Sequence, residues 1–510
     1  MMGLLTTTAN AGNDVSRQIG TALRHTLVYG FGGILAKVVG FALLPMYSHY
    51  LTPRDYGIVE LLDLAMSIVG MFLAMGVTTA FLRSYTAADS DEQKRRILGT
   101  TFVFALAVGV LIFGAGLLLM GRATQLLFGP GVPPLYFLLS FSLFVLAYVA
   151  TIPYTHLRAK EASVTLTGLD SAGVLATLVL NIYFIAGLKM SVFGILLSQL
   201  IVGFAKFIFL AASMRGAIRL RFDWTILRNM LTFGVPLIAS NLTMFVLNFS
   251  DRFFLQRLQS LDQVGIYAMG YKFGYILNFL LIQPFNMMWQ ARMYLVHRQD
   301  NARSIFVQVF VLYSLTLIFS ALGIAFFGPN VIHWLVDAKY AAAAQIIAPV
   351  ALSYVFLGFG YYFQLGMLLT GRTGLMGFVN GLAAVLNLGL NYLLISHFGM
   401  VGAAWATVLG FLAVAIGNYY GSQRVLPMEF GLSRVVQALA LATGLYILSA
   451  VLPVSSPAVS VLTKMVLWIS FPAILWVSGL LAPDEIHTIA TLRDKAINLA
   501  MGRPILRGEA

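Results

Sequence analysis

Only 10% of the 510 residues are charged and 59% are hydrophobic, against the roughly 25% charged residues of an ordinary soluble domain, so a water-solvated globular protein is excluded. The net charge of +13 comes from basic residues scattered over short loops, which argues against nucleic-acid binding. Cysteine is absent, which excludes disulfides and thiolate metal sites.

Residues 1–26 are polar and rich in Thr and Asn, without the apolar core of a signal peptide, and read as a cytoplasmic segment. A bilayer core about 30 Å thick needs about 20 apolar residues per helix. Fourteen such runs follow: 27–48, 57–82, 98–120, 134–157, 164–186, 191–213, 229–250, 264–288, 304–327, 343–369, 374–396, 400–421, 433–453 and 460–481. An even number of spans puts both termini on one side. With the N-terminus cytoplasmic, the inner segments hold 22 Lys and Arg residues and the outer segments 6, and this bias orients the chain. Residues 482–510 then form a cytoplasmic tail.

Span one carries Gly30, Gly33, Lys37 and Gly40 on one face, a packing surface for small residues with a lysine at mid-helix. Span two holds Glu60 and Asp63 and ends at Arg83 on the cytoplasmic side. Asp170, Thr177 and Asn181 form a polar stripe on span five, and Lys206 lies toward the inner end of span six. The basic stretch with Arg215, Arg219, Arg221 and Arg228 falls in a cytoplasmic linker, 214–228. Asp251 and Arg252 follow span seven, where Arg252 is expected to start an outer loop and to form an exposed helix-end pair with Asp251. Lys272 lies on span eight, Tyr361 and Gln364 on span ten, and a second stripe, Asn380, Asn387 and Asn391, on span eleven. Lys464 sits about one turn from the outer end of span fourteen.

The two stripes share the spacing i, i+7, i+11 and lie 210 residues apart. Asn181-Ile182-Tyr183-Phe184-Ile185 aligns with Asn391-Tyr392-Leu393-Leu394-Ile395, and after a two-residue gap Gly194 aligns with Gly402. Gly57-Ile58-Val59 aligns with Gly265-Ile266-Tyr267. The chain therefore reads as an all-α membrane protein with about 14 transmembrane helices: an N-lobe at 27–213, a C-lobe at 229–421 in parallel repeat, and two further spans at 433–481.

Leu51-Thr52-Pro53-Arg54-Asp55-Tyr56-Gly57, Asp251-Arg252-Phe253-Phe254-Leu255 and Val264-Gly265-Ile266-Tyr267 resemble segments of the polysaccharide-transporter (Wzx-type) flippases of the multidrug/oligosaccharidyl-lipid/polysaccharide superfamily. Asn387 to Gly402, with Ala403-Ala404-Trp405-Ala406-Thr407, is similar to helices eleven and twelve of that superfamily. The resemblance covers about residues 25–425. It implies two six-helix lobes around a central cavity that carry a lipid-linked oligosaccharide from the cytoplasmic to the outer leaflet of a bacterial inner membrane. Fourteen spans also resemble the lipid II flippases, whose last two helices help form a groove for the lipid tail. A polysaccharide polymerase and export machinery are the protein partners such a role implies, beside membrane lipids.

An anionic diphosphate head needs a cationic path through lipid. Lys37 lies roughly 15 Å from the inner edge and Lys272 roughly 12 Å from the outer edge at 1.5 Å per residue, too deep to reach water readily. They are expected to bind the diphosphate or an acidic sugar, or else to form ion pairs with Asp63, Asp170 or Asp251. Lys206 and Lys464 are shallower and read as interfacial. Arg83 and Arg252 are candidate head-group contacts at the two faces. Asp63 and Asp170 are candidate cation-coupling sites. Asn181, Asn387 and Asn391 could bond sugar hydroxyls, or could link helices within a lobe. Tyr29, Tyr271, Tyr275 and Trp289 could stack on sugars, whereas Trp334, Trp468 and Trp476 read as interface-belt residues.

No nucleotide-binding loop, metal-ligand cluster or nucleophile–base arrangement stands out, so no cofactor and no bond chemistry are expected. A cation-coupled multidrug exporter would want cavity carboxylates more than lysines, and a polymerase or glycosyltransferase would be expected to present a sizeable catalytic loop, whereas these outer loops are short.

Overall fold

The computed structural model describes residues 33, 35–73, 75–218, 222–452 and 456–481. The predicted segments 1–26 and 482–510, with Tyr29, Gly30, Arg219 and Arg221, lie outside the described residues. The fold is about 88% helical without strands among the described residues. Residues 35–42 are helical and lead into α1 (Leu44–Tyr50). There follow α2 (Pro53–Leu73), α3 (Met75–Thr86), α4 (Asp91–Phe128), α5 (Pro134–Ala159), α6 (Ser163–Asn181), a π-helical turn (Ile182–Gly187), α7 (Ser191–Ser213) and α8 (Trp224–Leu258). The rest comprises α9 (Leu261–Leu277), a second π-helical turn (Asn278–Ile282), α10 (Gln283–Val296), α11 (Ala302–Leu335), a 3-10 turn (Ala338–Ala343), α12 (Ala344–Phe363), α13 (Leu365–Leu369), α14 (Thr373–Val425), α15 (Leu432–Val451) and α16 (Pro457–Val477).

Where the predicted runs fall within the described residues they lie mainly on helices, and ten helices among the described residues are long and apolar enough to cross a membrane, a number compatible with fourteen spans. α14 accounts for two runs at once. Its 53 residues break at Gly399, where φ is 55° and ψ −133°, a left-handed conformation that glycine adopts without steric cost. The predicted spans 374–396 and 400–421 lie on either side.

The chain divides into two packing units, one of residues up to Ile266 with Leu335–Tyr340, the other of Tyr267–Trp334 with the residues from Ala341 on. This division falls inside α9, whereas the sequence repeat places the lobe boundary at 214–228. α8 belongs to the first unit for visible reasons. Asp223 caps it by accepting from the Thr225 and Ile226 amides, and the Asp223 amide donates to Thr100 on α4. Met230 packs with Phe81, Tyr85, Ile97 and Tyr148 in an apolar core. Farther along, the Arg257 guanidinium donates to the Leu126 carbonyl.

The motif at 51–57 is a helix start joined to a close crossing. The Thr52 hydroxyl accepts from the Asp55 amide at 3.1 Å while the Asp55 carboxylate accepts from the Thr52 amide at 3.1 Å, a reciprocal capping box with Pro53 at the first helical position. A Cβ on Gly57 would lie 2.2 Å from the Leu261 carbonyl oxygen, and one on Gly265 would lie 1.9 Å from that of Pro53. The two glycines that the repeat pairs are thus in backbone contact with each other's helix. Tyr340, from the 3-10 turn, donates to the Leu51 carbonyl and meets Tyr56 edge-on.

In the second unit α12 packs along α14. Phe285, Trp289, Phe306, Phe310, Tyr313, Tyr362 and Phe430 form one aromatic cluster. α16 docks on α11 through Trp468, whose indole N–H donates to the Phe319 carbonyl at 3.0 Å and whose ring stacks on Phe319.

Candidate substrate and cation sites

Lys37 is exposed on the helix ahead of α1, and Lys272 is half-buried on α9 among Tyr271, Phe273 and Tyr275. Tyr271 is buried and accepts a hydrogen bond from the Tyr354 hydroxyl at 2.9 Å, and Tyr354 in turn lies edge-on to Tyr275. Lys272 is therefore carried by a helix fastened to α12 through tyrosines. Asp63 is exposed on α2, and Arg83 is exposed in the last turn of α3.

Asp170 has a definite partner. Lys206 on α7 places its ammonium 2.7 Å from one carboxylate oxygen of Asp170 on α6, and the Tyr154 hydroxyl on α5 donates to the other at 2.9 Å. Both oxygens are engaged by the protein, and three neighbouring helices are tied together. Lys206, expected to reach the interface, is instead half of this pair. The aliphatic stem runs over Gly173, where a Cβ would come within 3.3 Å of Lys206 Cδ.

Arg252 does not start a loop. α8 continues to Leu258, and Arg252 and Asp251 are 5% and 3% exposed. The guanidinium donates to the Asp251 carboxylate at 2.9 Å and to the Asn248 carbonyl at 3.1 Å, and lies over the Phe249 ring. The expectation of an exposed helix-end pair is corrected to a buried one. Beyond Asp251 the helix runs on because no glycine or proline occurs between Arg252 and Gln259, and Phe253, Phe254 and Leu255 supply further apolar surface.

The asparagine stripes turn inward. Asn181 is fully buried and donates to the Tyr47 hydroxyl at 2.8 Å. Asn387 donates to the Ala406 carbonyl at 3.0 Å, linking the two halves of α14 across Gly399, and Asn391 donates to the Asn387 side-chain carbonyl at 3.1 Å. Asn418 donates to the Gly360 carbonyl and to Asn380. Each stripe thus binds helices within one unit, and Gln364 is buried.

Trp289 is buried in the aromatic cluster. Trp334 and Trp476 are exposed, as membrane-interface residues would be, but Trp468 packs on α11 and is not one of them. Lys464 donates to the Asn330 side chain at 2.8 Å. An apolar cavity of about 470 Å³ opens between α11, α12, α14 and α15, lined by Leu322, Pro349, Leu352, Trp405, Thr443 and Tyr446 among others. No cluster of His, Cys, Asp and Glu able to hold a metal occurs among the described residues.

Sequence reasoning missed Tyr154, Tyr47 and Asn418 as polar partners. The Lys206–Asp170 pair had a signal: each is the sole charge on one of two consecutive spans. The capping box was also legible, as Thr52-x-x-Asp55 before an apolar run.

A family model described as polysaccharide biosynthesis protein matches residues 48–345, more than half of the chain. The chain belongs to the polysaccharide biosynthesis protein family. The fold is similar to that of the lipid II flippase MurJ in its inward-closed conformation, with a TM-score of 0.74 over 89% of this chain and 99% of that one at 11% identity. It is also similar to an inward-facing multidrug resistance MATE family transporter of the MOP superfamily, with a TM-score of 0.63 over 81% and 96% of the two chains at 16% identity. These likenesses establish the fold. An uncharacterized membrane protein of Methanocaldococcus jannaschii is 25% identical over 222 residues, which span 41% of this chain and 42% of that protein.

Proposed function

We propose that this protein is a flippase that moves a polyprenyl-diphosphate-linked oligosaccharide from the cytoplasmic to the outer leaflet of a bacterial inner membrane, by alternating access, for surface or exopolysaccharide assembly. The observation that carries this reading is a polysaccharide-biosynthesis family match on a chain with the fold of a lipid II flippase. A lipid-linked saccharide is a substrate that suits both a polysaccharide biosynthesis family and a flippase fold. The chemistry is transport, with no bond made or broken.

Lys37 and Lys272 are the proposed contacts to the diphosphate, because an ammonium at membrane depth offsets the desolvation of a phosphate oxygen. Arg83 is the proposed cytoplasmic head-group contact. Asn181, Asn387 and Asn391 are assigned to holding the lobes, since their amide donors are engaged by protein acceptors. The apolar cavity beside α15 offers space for part of the polyprenyl tail, which stays in the hydrocarbon phase while the head crosses. Asp170 is not the preferred coupling site, because Lys206 already supplies its counter-charge.

The test is transfer of a fluorescent polyprenyl-diphosphate oligosaccharide between leaflets of proteoliposomes. The wild type should flip it, and Lys37→Gln with Lys272→Gln should lose at least about tenfold in rate, the equivalent of about 1.4 kcal/mol. Full flipping by the folded double variant removes the lysines from the site. No flipping by folded wild type, together with efflux of a cationic dye, moves the function to drug export.

A further inference from the structure

A second concave surface lies apart from the residues assigned above. α10 ends at Val296, the chain turns through the polar connection 297–301, in which Arg298 and Asp300 balance in charge, and α11 begins at Ala302. Between the end of α10 and the first turns of α11 is a groove of about 470 Å³, within the range of about 300–1,000 Å³ typical of ligand pockets. Its walls are apolar, with Met288, Leu295, Val296, Ile305 and Val309 among the lining residues. Met288 and Leu295 are 57% and 63% exposed, and Trp289 forms part of the wall while its ring is buried.

One charge lines this groove. Arg292 is exposed, and among the described residues it has neither an ion-pair nor a hydrogen-bond partner. Gln299 adds an amide to the lining. The other nearby cation on α11, Arg303, is already paired with Glu429. An apolar trough with one arginine in its lining matches an acyl chain attached to a singly charged phosphodiester. A diphosphate carries about two charges or more and would call for a second cation in the lining, which the groove lacks.

We infer that the groove between α10 and α11 is a binding site for an anionic phospholipid of the surrounding membrane, with Arg292 and Gln299 on the headgroup phosphate and Met288, Leu295, Ile305 and Val309 along an acyl chain. Basic pockets between membrane helices on the positively charged side of a protein recognise anionic head groups by this chemistry. The lipid would brace the α10–α11 hairpin, one wall of which is Trp289 of the aromatic cluster.

The experiment uses the purified full-length protein in mixed micelles with dibrominated phosphatidylglycerol or dibrominated phosphatidylcholine. Bromine quenches tryptophan fluorescence on contact, and the difference between wild type and Trp289→Phe isolates the Trp289 signal. Phosphatidylglycerol should half-saturate that quenching at an about fivefold lower mole fraction than phosphatidylcholine. Arg292→Gln should erase the preference, and Arg292→Lys should restore part of it. Because Arg292 is exposed, its variants should melt as the wild type does without added lipid. If Trp289→Phe fails to fold, native mass spectrometry of wild type and Arg292→Gln gives the count of retained phosphatidylglycerol directly, one fewer being expected in the variant. Equal quenching by both lipids, or an unchanged preference in Arg292→Gln, overturns the proposal. So does one-for-one displacement of the brominated phosphatidylglycerol by a polyprenyl phosphate, which would give the groove to the transported lipid. None of these readouts depends on flipping, so failure here and failure of the flippase reading are separable.

Discussion

Charged side chains are few in this chain, and two buried or half-buried ion pairs among them have a clear local role. Asp170 is held by Lys206 at 2.7 Å and by Tyr154 at 2.9 Å. Removing only the ammonium leaves a carboxylate between apolar helices, while removing both charges does not. Lys206→Met should therefore lower the melting temperature more than Lys206→Met combined with Asp170→Asn, with a coupling of about 1–2 kcal/mol because both side chains keep about a third of their surface. Additive effects of the two substitutions would show that the pair contributes nothing. The Asp251–Arg252 pair is the stronger case, since both partners are almost fully enclosed. Arg252→Met alone should cost about 3–5 kcal/mol, and Asp251→Asn in the same chain should recover much of it. Chemical or thermal unfolding in detergent measures both. A loss of flipping by a variant that melts normally would instead return Arg252 to the substrate path.

At the scale of elements, helix starts and crossings follow from small sets of residues. Thr52, Pro53 and Asp55 begin α2, and Gly57 and Gly265 let α2 and α9 cross with their backbones touching. Alanine at either glycine would place a methyl group inside a carbonyl oxygen's contact distance, and backbone does not yield as a flexible side chain does. Gly57→Ala and Gly265→Ala should each cost about 2–4 kcal/mol or prevent folding. Near-normal melting and yield for Gly57→Ala would show that this crossing is looser than the geometry implies. The repeat also persists as contacts inside each unit: Gly194 packs on Phe184, and Gly402 on Leu394, the positions that align in the two halves. A turn followed by a close helical return requires a small residue at that step, which is why the glycine recurs where most of the surrounding sequence does not.

For the molecule as a whole, the proposed cargo makes transport electrogenic unless a counter-ion moves with it. An inside-negative potential favours outward movement of an anion by about 2.3 kcal/mol per charge per 100 mV. Flipping in proteoliposomes should therefore respond to a potassium diffusion potential, the final distribution shifting about tenfold per 60 mV for each charge that crosses. Reversing the potential should reverse the shift. Indifference to potential, with dependence on a sodium or proton gradient, would point to coupling through a carboxylate such as Asp63.

Much of this protein was determined by sequence alone. The apolar runs indicated where most helices lie, because the cost of unpaired backbone groups in lipid leaves the chain few alternatives. The spacing of polar residues identified the two stripes, and the segments around Gly57 and Asp251 lie within the residues that the family model matches. Tertiary structure decided what those residues touch. Asn387 lies 19 residues from the Ala406 carbonyl that it bonds, Asp170 lies 36 from Lys206, and Asn181 lies 134 from Tyr47. Periodicity gives the face of a helix on which a residue sits, and that face is the same whether the neighbour is a sugar, a lipid or another helix. Burial of Asp251 and Arg252 and the packing of α8 with the first unit depend on contacts across the chain, and the groove beside Arg292 on how α10 and α11 pack together, all of which only folding supplies.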